Sequence, residues 1–385
     1  MLSSSIYPLA NPKGVKLECE LCQKTAHVMC PQCRVTFYCD VTHQAADWNG
    51  IHEKICQLLI PVRTPLPFLS STKEREHSKE QLVQRQKHLI DLTRTVAQKL
   101  LFEGKHEEAI PGALQSLRFA IAVYGSLSAE LVPSQLLLAE ASIGLGRLDE
   151  AEEYLSQAQW TMMKTTECIN AIQYKLYRNL GLLYTAKCEF DKALWYFADD
   201  IYHATRVFSV SDIHTAGGYY HMANVFYKQE KMDIADSLYS EVTDIWKNFL
   251  GELVEMEIQK SLWKAGISSP EPGTSLVDLE DVFDESQEAE AVKVLHAIFD
   301  MRNQELLVKN GKIGNIAHTL AMLYYLFLDF NKAVEYGDLA LEDNELFAHN
   351  KKEIATIQRL LEMAKKALSY PGGKGPSAYN WANSC

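Results

Sequence analysis

Residues Tyr174 to Thr215 read YKLYRNLGLLYTAKCEFDKALWYFADDIYHATRVFSVSDIHT. Two apolar-periodic runs flank a short polar break, the first holding Leu180, Gly181 and Tyr184 and the second Ala193 and Phe197. Apolar residues at helical spacing on both sides of a break describe two helices folded against each other. The small Gly181 and Ala193 stand where the helices approach closely, with Tyr184 and Phe197 filling the space beside them.

Working outward, the alanine recurs. Ala109, Ala151, Ala193 and Ala235 are each 42 residues apart, Ala291 follows after 56 and Ala333 after a further 42. The excess of 14 equals the length of Ser268 to Asp281, SSPEPGTSLVDLED, whose turn-forming and acidic residues mark a loop insertion. Twelve positions before the alanines of five units stand the small residues Ala97, Ala139, Gly181, Ala223 and Ala321. In the fifth unit Ala265 takes that place, with the insertion between the two runs. Six units share one register, which predicts an all-α fold, an α-solenoid of helical hairpins with a 42-residue period. The amphipathic stretch 351 to 368, KKEIATIQRLLEMAKKAL, is expected to cap its last unit.

The 385 residues are 47% apolar and 23% charged, an ordinary globular composition. A net charge of −12 argues against nonspecific binding to nucleic acid or anionic membrane surfaces. The longest strongly apolar run, Leu320 to Leu328, is far short of the ~20 residues of a membrane helix. The beginning, MLSSSIYPLANPKG, lacks the regions of a signal peptide, so an intracellular protein is expected.

Six of nine cysteines fall within the first 56 residues, in the order Cys19-x2-Cys22-x7-Cys30-x2-Cys33-x5-Cys39-x3-His43-x8-His52-x3-Cys56. In an intracellular chain such a cluster binds metal rather than forming disulfides. Eight ligands make two tetrahedral sites, and thiolate with imidazole suits two structural Zn2+ ions. The segment resembles the MYND zinc finger, whose closing pattern is matched in HQAADWNGIHEKIC by Gln44, Asp47, Trp48, His52 and Cys56. The resemblance implies interleaved sites, Cys19, Cys22, Cys39 and His43 for one zinc and Cys30, Cys33, His52 and Cys56 for the other. His43 stands where the family normally has cysteine; His27 is the nearest other histidine and lies off the pattern. The family's proline-rich-peptide groove would use Gln44 and Trp48, although Trp48 could equally pack the finger onto its neighbour. The segment Ile60 to Phe68, IPVRTPLPF, is a candidate occupant from the chain itself.

The repeats resemble tetratricopeptide repeats of the long-period, kinesin-light-chain variety. By that resemblance the first helices line an inner wall, at positions occupied here by Lys175, Arg178, Tyr220, Asn224, Tyr227, His318 and Tyr325. Packing tyrosines and solvated charges are the plainer reading of the same residues. The expected organisation is a tail over 1–16, the finger over 17–58, a proline-containing linker over 59–82, the repeat domain over 83–368 with its insertion at 268–281, and a flexible tail over 369–385. Finger and repeats read as separate modules, so loss of a zinc ligand is expected to unfold the finger and leave the repeats helical.

The sequence has no P-loop, no nucleophile elbow and no zinc-hydrolase helix, and the repeats leave no interval for a SET methyltransferase domain. A non-catalytic adaptor is the reading that follows. Phrases such as HEKICQLLIP (52–61), LVPSQLLLAEASIGLG (131–146) and SQEAEAV (286–292) resemble finger-and-repeat proteins of motile cilia and flagella. That resemblance implies a cytoplasmic and axonemal setting, with repeat-containing axonemal or dynein-associated proteins as partners. A nuclear corepressor adaptor is the alternative, and the short basic pairs Lys351-Lys352 and Lys365-Lys366 give it little support.

Overall fold

A computed structural model describes residues 4–6, 16–65, 69–164, 170–264, 282–304, 312–348 and 350–369. The insertion at 268–281, Ala265 and the tail after Ser369 lie outside the described residues. The chain divides into two compact units, 1–203 and 204–385.

In the first unit, strands β1 (Ser4–Ser5), β2 (Val28–Met29) and β3 (Phe37–Tyr38) form an antiparallel sheet in that order, with Ser4 opposite Met29 and Val28 opposite Tyr38. Part of the expected N-terminal tail is therefore an edge strand. Helix α1 (Val41–Asp47) starts at Asp40, whose carboxylate accepts the His43 N–H at 2.8 Å. A π-helical turn, Trp48–His52, leads without interruption into α2 (Glu53–Arg63). Residues Ile60 to Arg63, the start of the proposed groove occupant, thus finish a helix. Pro61 is tolerated there because the carbonyl its ring leaves unbonded belongs to the exposed Gln57.

Helical hairpins follow. They are α3 (Thr72–Phe102) with α4 (His106–Tyr124), α5 (Val132–Gly144) with α6 (Leu148–Lys164), and α7 (Asn170–Ala186) with α8 (Phe190–Thr205). The second unit holds α9 (Ile213–Lys228) with α10 (Met232–Lys264), then α11 (Glu285–Gln304), α12 (Ile313–Leu326) with α13 (Phe330–Asp343), and α14 (Lys351–Ser369). Helix α3 begins well before Gln81, where its apolar period starts. Its first turns are exposed Lys, Glu and Arg, good helix formers that show no amphipathic pattern. The linker shrinks accordingly.

The register alanines Ala109, Ala151, Ala193, Ala235, Ala291 and Ala333 are each at most 1% exposed. Close approach is demonstrated at Gly181, where an added Cβ would lie 2.5 Å from the Phe197 ring. Beside this seam Tyr184 stacks on Tyr196 with centroids 5.3 Å apart, and Tyr177 on His203 at 5.1 Å. The turn inside each hairpin repeats as well. Gly104, Gly146, Cys188, Glu230 and Leu328, each five residues before its alanine, all have φ between 60° and 76°. At each, two backbone N–H groups reach back to the helix end, as in Gly146 to the Ile143 carbonyl (3.0 Å) and Arg147 to Ser142 (2.8 Å).

The fifth unit departs from the pattern. Helix α10 is one rod of 33 residues, and no separate first helix precedes α11 among the described residues. From Val242 to Lys264 the chain holds neither proline nor a capping turn, and Gly251 is its one glycine, so nothing stops the helix after its first four turns. Helix α14 packs Ile357, Leu360, Leu361 and Ala364 inward, and Gly337 of α13 lets Leu361 approach so closely that a Cβ would meet its Cδ2 at 2.7 Å.

Candidate metal centre and interaction surfaces

The segments flanking the strands, α1, the π-helical turn and α2 bring eight ligand atoms into two groups of four, the atoms of each group lying within 4.8 Å of one another. One is Cys19, Cys22, Cys39 and His43; the other is Cys30, Cys33, His52 and Cys56, all four buried. In the first, Cys22 and Cys39 Sγ are 3.6 Å apart and His43 Nδ1 is 3.4 Å from Cys19 Sγ. In the second, Cys30 and Cys56 Sγ are 4.0 Å apart and His52 Nε2 is 3.6 Å from Cys33 Sγ. A tetrahedron with zinc–sulfur bonds near 2.3 Å has edges of roughly 3.7 Å, so both donor sets fit Zn2+. His27 is exposed and belongs to neither group.

The thiols shift in opposite directions, Cys22 being lowered chiefly by hydrogen bonding from the Lys24 backbone. Burial, reinforced by neighbouring thiols, pushes Cys56 up to about 12, and Cys39 is pushed to about 12 in the same way. Without metal these thiols hold their protons, and metal must displace them. Burial, assisted by the positive charge of Arg63, lowers His52 to about 4, which keeps the imidazole neutral as a ligand requires. Behind it, His52 Nδ1 faces Asp47 Oδ2 at 3.6 Å, beyond hydrogen-bond range, while Asp47 accepts the Tyr38 hydroxyl proton at 2.6 Å. Asp47 itself is raised to about 6, chiefly by burial. His52 Nδ1 thus has no hydrogen-bond partner among the described residues.

The other sequence-predicted residues scatter. Gln44 is 2% exposed, and its Oε1 has no hydrogen-bond partner among the described residues. Trp48 is half-buried, 5.7 Å from the His52 ring and packed on the finger's own core. On the repeats, Lys175 and Tyr227 are exposed. Arg178 is engaged elsewhere, donating from Nε to Oδ2 of the fully buried Asp200 at 2.8 Å and from Nη2 to Oδ1 at 3.3 Å. Tyr220 is buried, and Asn224 accepts the Tyr239 hydroxyl proton at 2.6 Å. Tyr325 is half-buried against Phe330. His318 is 4% exposed, with Nδ1 2.6 Å from Glu353. Asp200 gave no signal in the sequence, because a buried carboxylate on the second helix is recognisable only once Arg178 is seen across the seam.

Within the second unit, α10, α12 and α14 enclose a cleft of about 670 Å³. Val254, Ile258, Met322, Leu360 and Met363 contribute apolar lining. Across it Lys247 reaches Glu353 at 2.5 Å and Arg359 reaches Glu255 at 3.1 Å. No described helix is long and apolar enough to cross a membrane.

Residues 19–56 match the MYND finger family. Among solved structures, the chain is similar to BtubC from P. vanneervenii at 13% identity, covering 75% of this chain and 96% of that one with a TM-score of 0.32. It is also similar to pilF of Pseudomonas aeruginosa at 16% identity, covering 71% and 98% with a TM-score of 0.31. Both are partial overlays, and the fold described above rests on the chain's own hairpins.

Proposed function

We propose that the protein is a non-catalytic scaffold whose helical repeats dock partner proteins, working on the axoneme of a motile cilium or flagellum. The observation that carries the non-catalytic part is the closure of both metal sites. Each tetrad supplies four protein donors, which leaves no coordination position for water or substrate, the arrangement of structural zinc. Partner recognition is assigned to the repeats. The second unit's cleft combines a thioether-rich floor, Met322 and Met363, with charged walls, a lining that accommodates an amphipathic segment. Exposed Lys175 and Tyr227 are further contact points. A proline-rich segment at the finger would have to engage Trp48 from its exposed side, since Gln44 is covered.

The axonemal setting and its repeat-containing or dynein-associated partners rest on the resemblance of residues 52–61, 131–146 and 286–292 to ciliary finger-and-repeat proteins. Crosslinking mass spectrometry on native ciliated cells or sperm tests it. Crosslinks from the repeat lysines to axonemal proteins are expected. A diffuse nuclear distribution without such crosslinks would overturn the reading in favour of a corepressor adaptor.

A further inference from the structure

The finger does not hang from the repeats on a linker; it is built into the first hairpin by two contacts of different kinds. The first is apolar. Ile51, Ile55 and Leu59, all at most 1% exposed, form one core with Leu89 and Ile90 of α3 and Phe119 of α4. The approach is tight at Gly50, where an added Cβ would lie 2.5 Å from the Glu108 carbonyl oxygen and 2.9 Å from Pro111 Cγ. A side chain at 50 cannot be accommodated without separating finger from α4.

The second contact is ionic and starts inside the first metal knuckle. Glu20 sits between the ligands Cys19 and Cys22 and is 8% exposed. Its carboxylate accepts from Arg63 at the end of α2, from Arg118 of α4 at 2.9 Å and from the Gln115 amide of α4 at 2.9 Å. Arg63 also donates to the Val35 carbonyl at 3.1 Å and to Gln115 Oε1 at 3.3 Å. Glu20 is carried by the knuckle, whose two cysteines, Cys19 and Cys22, would hold a single Zn2+ together with Cys39 and His43. If the knuckle relaxes, the guanidinium groups of Arg63 and Arg118 and the buried Gln115 amide lose their shared acceptor.

We infer that the finger is a zinc-dependent cap of the first hairpin, so that metal binding and the folding of α3 and α4 are thermodynamically linked. Linkage is reciprocal. Zinc stabilises the docked hairpin, and the docked hairpin holds the ligands in place for zinc. The face of the finger turned towards α4 is thereby occupied by the chain itself. Availability of the first repeat to partners follows the metal state.

The test uses the full chain loaded with zinc. Hydrogen exchange of α4 is measured with and without a chelator, with α9 as the reference helix, and zinc release to a chromophoric chelator is compared among the wild type, Gly50→Val and Arg118→Gln. Neither substitution touches a zinc ligand, and Arg118→Gln leaves the backbone approach intact. Expected are α4 exchange faster by about tenfold after chelation, α9 unchanged, and zinc release faster by about tenfold in both variants. Unchanged α4 exchange, or wild-type release in both variants, would overturn the linkage. Loosening that reaches α9 to the same degree would overturn its assignment to the first hairpin.

Discussion

At Arg178, a charge that the repeat pattern places on an inner wall is used to neutralise a carboxylate in the interior. Asp200 is fully buried and burial pushes it up to about 6 despite the guanidinium beside it, so the pair is tightly balanced. Arg178→Ala would leave that carboxylate unpaired and is expected to lower stability by about 3 to 5 kcal/mol, measurable in urea unfolding. A loss confined to partner binding would contradict the assignment. Glu353 shows the opposite balance. Its hydrogen bond with His318, and next that with Lys247, hold it down at about 2, well below its ordinary 4.5. A carboxylate with a depressed folded value contributes stability above its unfolded value, and that contribution is lost as the proton returns. The second unit is therefore expected to weaken as pH falls from about 4.5 towards 2. Glu353→Gln should flatten that part of a pH titration of the melting temperature.

Hairpin turns carry the next level of information. All five use a left-handed residue at the same register, yet only Gly104 and Gly146 are glycines. Cys188, Glu230 and Leu328 adopt φ near 60° with a Cβ present, at a cost of roughly 1 to 2 kcal/mol each. Glycine also gains freedom in the unfolded chain, which offsets part of the relief. Glu230→Gly is thus expected to raise stability by about 1 kcal/mol or less, and Gly146→Ala to lower it by about as much, in paired thermal melts. Equal melts for the two would show that the turns are not strained. The helices themselves obey local chemistry. Helix α10 runs through the boundary expected between the fourth and fifth units because its sequence contains no stop signal, and α3 starts early because its charged first turns favour helix without any apolar face.

On the scale of the whole molecule, what could be read in advance was what repeats. The buried alanines and Gly181 were legible because every hairpin needs a small residue at its seam, and the zinc ligands because their spacing follows the coordination of one metal. The left-handed turns were not legible, because three of the five residues, Cys188, Glu230 and Leu328, are not glycine and so share no residue type with Gly104 and Gly146. The buried Gln44, the engagement of Arg178 with Asp200 and the clamp on Glu20 were also invisible, since each depends on a partner between 22 and 98 residues away or on a packing face that no local pattern marks. Two closed zinc sites followed by helical hairpins are the core of the account. Native mass spectrometry of the purified chain counts the metal directly. Two zinc ions per chain are predicted, falling to one in Cys33→Ala. A wild-type chain that binds a single zinc or none when zinc is in excess would contradict it.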